Sequence, residues 1–206
     1  MKKIAFIICI VGSLIETQSA SAQAFDDGAN VVSIGFGLPA SKRVVGDIKD
    51  FYYNDKNFKS EYKLTNIGTL VLKYEHGLHK YFGLGLNLEY SASKASFKYQ
   101  NSITGPEYAA AVKRNIIGGF LRFNAHYPLE KFDIYGGAGL GYLYTLDKYT
   151  TTNPIEAVDK NQSTKIFNFD YQLTIGARYM IKDNIGMFFE VGRATTICQL
   201  GIAFKF

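Results

Sequence analysis

Apolar and polar residues alternate with a period of two along most of this chain, the repeat of β-strands whose two faces meet different surroundings. Positions 166–181 show it most clearly. Phe167, Phe169, Tyr171, Leu173, Ile175, Ala177, Tyr179 and Ile181 share one face, and Asn168, Asp170, Gln172, Thr174, Gly176 and Arg178 share the other. At ~3.3 Å per residue this run is about 50 Å long, well beyond the usual strand of ~5–6 residues. The same dyad recurs in runs starting at Val32, Leu70, Leu84, Leu121, Ala138, Met187 and Leu200, so eight strands are predicted.

The connectors alternate in length. His79-Lys80-Tyr81, 129–132 and Lys182-Asp183-Asn184 are short, whereas 39–67, 93–113 and 147–165 read as long polar loops. A tight turn at Thr195-Thr196 joins the last two strands. Short turns at one end and long loops at the other are the asymmetry of a membrane-spanning barrel. The short turns also fix a register. A hairpin centred on Lys80 sets Lys73 opposite Asn87 and Val71 opposite Glu89. The next pairs His126 with Tyr135, and the third pairs Arg178 with Phe188. Each keeps polar residues on one side, as a two-faced sheet requires.

Composition narrows the class. The 206 residues include 15 Tyr, 16 Phe and 20 Gly but only 4 Pro, a mixture that favours strands. No apolar run reaches the ~18 residues of a membrane-crossing helix. Lys2 and Lys3, the apolar stretch 4–15, and Ala20-Ser21-Ala22 read as a signal peptide over 1–22, with cleavage after Ala24 as the alternative. Residues 23–206 are then one barrel domain. Beyond the predicted leader Cys198 is the only cysteine, so no internal disulfide is expected. The net charge of +5 is compatible with anionic lipid nearby and does not indicate nucleic acid.

The sign of the pattern separates two architectures. A soluble exported barrel of lipocalin type, binding a hydrophobic ligand, turns apolar residues inward, whereas a membrane barrel turns them to lipid. The polar face here holds Lys73, Glu75, Glu89, Arg122, Asp170, Arg178, Glu190 and Lys205, cations and anions in equal number. An eight-strand lumen is only wide enough for side chains to fill. It suits this network and not the far larger apolar set. Phe82, Tyr127, Tyr179, Phe204 and Phe206 fall toward the short turns, and Tyr90, Tyr142, Tyr144, Phe167 and Phe169 toward the long loops. Two such belts match the girdles at the two membrane interfaces. The predicted fold is all-β, an eight-stranded antiparallel up-and-down transmembrane barrel.

Three motifs resemble the small OmpX/OmpA-barrel-like outer membrane protein β-barrel domain family common in Bacteroidota. They are Leu200-Gly201-Ile202-Ala203-Phe204-Lys205-Phe206, Tyr135-Gly136-Gly137-Ala138-Gly139-Leu140-Gly141-Tyr142, and Phe189-Glu190-Val191-Gly192. The resemblance implies a bacterial outer-membrane location. It also implies that Leu200, Ile202, Phe204 and Phe206 form the C-terminal signal read by the barrel-assembly machinery. With Phe206 as the last residue given, the peptidoglycan-binding domain of the larger OmpA-type proteins is not expected.

Candidate chemistry is sparse. His76 and His79 have H-x-x-H spacing, but residues three apart on a strand face opposite ways and no general base accompanies them, so no metal site is expected. Barrel enzymes that deacylate lipid A resemble an H-x-S pattern, and no histidine here is followed by that serine. The Gly136–Gly141 run departs from G-x-G-x-x-G at Tyr142. The inward carboxylates read as ion-pair partners, with Glu89 diagonal to Lys73 and Glu190 diagonal to Arg178. Arg193, the one charge on the apolar parity, is the candidate lipopolysaccharide contact, together with the loop cations Lys42, Arg43, Lys56, Lys59, Lys113 and Arg114. Phe51-Tyr52-Tyr53 and Phe58 mark the first long loop as a place for an external partner. The expectation is a monomeric, cofactor-free, non-enzymatic barrel with a charge-plugged lumen and three surface loops. A small porin-like channel is the alternative.

Overall fold

The computed structural model describes residues 23–39, 63–100, 105–154, 163–193 and 195–206. The predicted leader 1–22, the tip of the first long loop with Phe51-Tyr52-Tyr53, Phe58, Lys42, Arg43, Lys56 and Lys59, and parts of the other long loops lie outside them.

Eight strands close into one antiparallel barrel in chain order. They are β1 (Asn30–Pro39), β2 (Lys63–His79), β3 (Phe82–Gln100), β4 (Glu107–Pro128), β5 (Phe132–Thr151), β6 (Ser163–Lys182), β7 (Ile185–Arg193) and β8 (Thr196–Lys205). The seam is β1 against β8, with Val32 opposite Phe204 and Ile34 opposite Ile202. Beyond it the Phe206 and Asn30 main chains exchange two hydrogen bonds of 2.9 Å. No strand edge is left open at this level, as an apolar surrounding demands.

The short hairpins have the register that their turns dictate. Lys73 faces Asn87, Val71 faces Glu89, His126 faces Tyr135 and Arg178 faces Phe188. Apolar side chains stand outward on every strand, Ile175 at 66% exposure and Leu140 at 60%, while Glu190 retains 1%. This orientation overturns the soluble lipocalin-like alternative. No core exists for the outward residues to join; the membrane is their solvent.

Three gaps read as long loops are partly strand, which corrects the sequence reading. β3 runs on to Gln100, β4 starts at Glu107, β5 reaches Thr151 and β6 begins at Ser163. Polarity is the reason. Above the lipid band both sides of the sheet leave the membrane, so the outward positions Lys94, Lys113 and Lys148 are polar and exposed and Ser96 is polar and half-buried. The inward positions Ala95, Phe97, Ala110, Val112 and Tyr149 form a small buried apolar cluster. The alternation persists with its sign reversed, and a search for outward apolar dyads stops at the boundary. In β2 a bulge adds to this. Its register shifts between Asn66 and Thr69, around Gly68 at φ 81°. Glycine adopts that left-handed conformation without the Cβ penalty. The Asn66 side-chain oxygen accepts from the Gly68 N–H at 2.7 Å.

The barrel is taller on one side. β3 to β6 have 19–22 residues, whereas β7, β8 and β1 have 9 or 10. The last β6–β7 pair is Leu173 with Arg193, so β6 continues some ten residues above the β7 rim.

Candidate functional site

Strand parity delivers polar residues of all eight strands into a narrow cylinder, where each must find a partner or carry a large desolvation cost. Glu190 from β7 lies at the centre. Its carboxylate accepts from Lys73 Nζ at 2.9 Å and from Arg122 Nη1 at 2.9 Å. Arg122 Nη2 also donates to Thr174 Oγ1 at 2.8 Å. Lys73 Nζ sits 4.6 Å from the Phe188 ring centroid, an additional cation–π contact.

A second cluster lies toward the short-turn end. Glu75 Oε2 accepts from Arg178 Nη2 at 2.9 Å, and Glu75 Oε1 meets His126 Nε2 at 2.9 Å and the Asn124 amide. The other His126 nitrogen meets Asp133 Oδ2 at 2.9 Å. A third cluster is uncharged but for one carboxylate. Asn87 and Gln172 both donate to Glu89 Oε1 at 2.8 Å.

These contacts correct the pairings inferred from hairpin diagonals. Glu190 bonds to Lys73 and Arg122, not to Arg178, and Glu89 bonds to amides, not to Lys73. Inward side chains reach across a narrow lumen to strands that are distant in sequence. Two other members of the expected network stand apart from its centre. Lys205 is at the short-turn mouth, 3.6 Å from Asp26. Asp170 is above the β7 rim, where the wall ends and Arg193 reaches it at 3.8 Å.

His126 is buried and hydrogen-bonded near the short-turn end, as its inward strand parity predicts. Asp133 and the N-terminal segment 23–29 are the members that sequence reasoning missed. The segment folds into the short-turn mouth. Phe25 is fully buried, stacked on the His126 ring with centroids 3.7 Å apart and planes 10° apart. Gly28 N–H donates to Gly77 C=O at 3.0 Å, Gly77 N–H donates to Ala29 C=O at 2.8 Å, and Lys205 Nζ donates to Gln23 C=O. A Phe next to a predicted cleavage site was the available signal. The central space enclosed by Lys73, Glu75, Arg122, Tyr135, Arg178 and Glu190 is about 20 Å³, room for about one water.

Glycines make room for the long side chains. A Cβ on Gly137 would overlap the Arg122 guanidinium and the Asn124 amide oxygen, whereas one on outward Gly136 would have no neighbour nearer than 4.0 Å. Gly137→Val is therefore expected to lower stability by about 1–3 kcal/mol through overpacking. Gly136→Ala is expected to leave it unchanged or raise it slightly. Urea midpoints of the two variants test this, and equal midpoints would refute the packing role.

Outside the lumen, the Arg193 guanidinium lies 3.7 Å over the Tyr171 ring and 3.8 Å from Asp170, with the side chain still 47% exposed. Lys113 and Arg114 are strand residues of β4, not loop residues. Lys113 points outward, and Arg114 points inward to hold Asp147 through two bonds of 2.7 and 2.6 Å. Leu200, Ile202 and Phe204 face outward, and Phe206 closes the seam. His76 and His79 bring no third ligand with them, and no metal-binding cluster occurs among the described residues.

The solved structures to which this chain is similar are distant in sequence. Two crystal structures of Ail, the attachment invasion locus protein of Yersinia pestis, are 12% and 13% identical to this chain. Each covers 87% of it and 99% of Ail, with TM-scores of 0.42 and 0.40. The first holds the heparin analogue sucrose octasulfate. The outer membrane protein OprG of Pseudomonas aeruginosa is 14% identical, covering 88% of this chain and 97% of OprG, with a TM-score of 0.49. No curated protein sequence matches. Residues 8–199 match the outer membrane protein beta-barrel domain, and the chain, a bacterial outer-membrane barrel, belongs to that family.

Proposed function

We propose that this outer-membrane barrel is a closed cylinder with a structural or surface-contact role, exerted through its long-loop end and its lipid-facing wall. The observation that carries the reading is the central ion cluster of Glu190, Lys73 and Arg122, which draws β7, β2 and β4 together across the lumen. Only about 20 Å³ is left beside it and Phe25 lies under it, which supports a lumen too narrow for a hydrated solute. Buried paired charges of this kind favour a fixed geometry over a passage, because moving one partner exposes the other unpaired.

The partners proposed are outer-membrane lipids, including lipopolysaccharide, on the wall, and an external molecule at the long-loop end. During insertion the C-terminal Leu200, Ile202, Phe204 and Phe206 present a continuous outward apolar row to the barrel-assembly machinery. The barrel acts without catalysis. The inward imidazole of His126 has both nitrogens occupied by carboxylates and its face covered by Phe25, which leaves it no hydroxyl to activate.

Planar-bilayer recording of the refolded protein tests the closed lumen. Silence at moderate voltage is expected, and steady unitary openings would make the barrel a small channel instead. Lipid A incubated with the same preparation should be recovered with unchanged mass; deacylated or acylated product would make it an enzyme.

A further inference from the structure

Just above the lipid-facing band, the outer wall carries one arrangement that neither the barrel fold nor the lumen requires. Lys94 of β3 is directly opposite Lys113 of β4, and Lys113 is directly opposite Lys148 of β5. All three side chains point outward and are exposed. Cross-strand neighbours of this kind have Cβ atoms about 4.5–5.5 Å apart, and like charges placed so are destabilising. No described carboxylate neutralises them. The first outward acid along β4 is Glu107, some six residues further up, and Lys98 already holds it at 3.1 Å. Lys63 and Lys165 flank the row on β2 and β6, exposed in the same way.

Position gives the row its meaning. The lipid-facing apolar surface runs up to Tyr90, Ile117, Tyr144 and Phe167, which are successive neighbours across β3 to β6, with Leu146 one outward position higher on β5. Lys94 is four residues beyond Tyr90, about 13 Å along the strand and, at a ~40° tilt, about 10 Å higher. The polar headgroup layer adds roughly 5–8 Å to each side of the hydrocarbon core, within reach of lysine stems that bend toward it. Directly behind the row, the bidentate Arg114–Asp147 pair ties β4 to β5 and holds the strands at fixed spacing.

The geometry points to Lys94, Lys113 and Lys148 as a binding site for a phosphorylated glycolipid headgroup of the outer leaflet, seated against the wall of β3 to β5. A phosphate between adjacent ammonium groups converts a repulsive row into a paired one, and acyl chains then lie along Tyr90, Ile117 and Tyr144. This deepens the lipid-contact role proposed above and places it on the tall side of the barrel.

The test uses the full exported protein folded in zwitterionic detergent without lipid A, then titrated with bisphosphorylated lipid A while thermal unfolding is followed. Tm should rise with this probe and stay flat with dephosphorylated lipid A. K94Q/K113Q/K148Q should weaken the apparent affinity about 100-fold, near fivefold per lysine. Its Tm without lipid should equal or exceed that of the parent, since the repulsion is gone. If the triple variant does not fold, Lys113→Gln alone is expected to show the fivefold loss. Lys131→Gln, at the short-turn end, should change nothing. Equal responses to phosphorylated and dephosphorylated lipid, undiminished affinity in the variant, or a lipid-free Tm below the parent would each overturn the site. So would inorganic phosphate reproducing the shift at the same concentration. Conductance reads the closed lumen separately. A conducting barrel with phosphate-dependent binding would sink the lumen reading alone, and a silent barrel without it would sink this one alone.

Discussion

Glu190→Ala is expected to destabilise the barrel by about 3–5 kcal/mol, the usual consequence of removing one partner from a buried ion cluster. Glu190 is 1% exposed, and its loss leaves both Lys73 and Arg122 enclosed without a counter-charge. Reversible urea unfolding in lipid vesicles near neutral pH measures the effect. A second substitution then identifies the partners. Arg122→Met in the Glu190→Ala background should recover part of the loss, with a coupling energy of about 1–3 kcal/mol. Arg178→Met should couple to Glu190 more weakly, because Arg178 spends its hydrogen bond on Glu75. A loss below ~1 kcal/mol for Glu190→Ala would mean that water replaces the carboxylate freely, and the lumen could not then be called closed.

Phe25→Ala should have the second largest effect, a fall of about 3 kcal/mol, the lower end of the range for deleting a buried aromatic ring. The ring stacks on His126 and lies 5.8 Å from the Arg178 guanidinium, so it covers the ion cluster that ends at the short-turn mouth. The loss is capped by whatever free energy docks residues 23–29, because the segment can leave the mouth while the barrel stays closed. Amide exchange separates the two outcomes. The Gly28 and Gly77 N–H groups, which bond across the mouth, should exchange much faster in the variant even where the urea midpoint moves little. Unchanged exchange together with an unchanged midpoint would mean that the segment does not cap the barrel.

Much of the architecture was legible because the membrane imposes a simple rule. Alternation of Leu173, Ile175 and Ala177 with Thr174, Gly176 and Arg178 states both the strand and its two faces, and the turn at Asp183 then dictates that Arg178 meets Phe188. What the alternation cannot state is height. Strand continues through Lys94, Ala95, Ser96 and Phe97 although the apolar side has moved inward, since water replaces lipid outside. For the same reason Lys113 and Arg114, which look like adjacent loop cations, separate into an outward member of a lysine row and an inward partner of Asp147.

The ion pairs were the least legible part. Strand parity assigns Glu190, Glu75 and Arg122 to the lumen, but parity is a property of one strand and its neighbours. Which carboxylate meets which cation depends on the curvature that brings β2, β4 and β7 within side-chain reach of one another.

By itself, the sequence determined the strand count, the hairpin registers and the outward turn of the apolar face, all consequences of a two-residue period in a chain surrounded by lipid. Tertiary structure alone decided the partners across the lumen, the capping of its mouth by Phe25, and the alignment of three lysines on the outer wall. Closing a sheet into a narrow cylinder makes neighbours of residues that no local repeat relates.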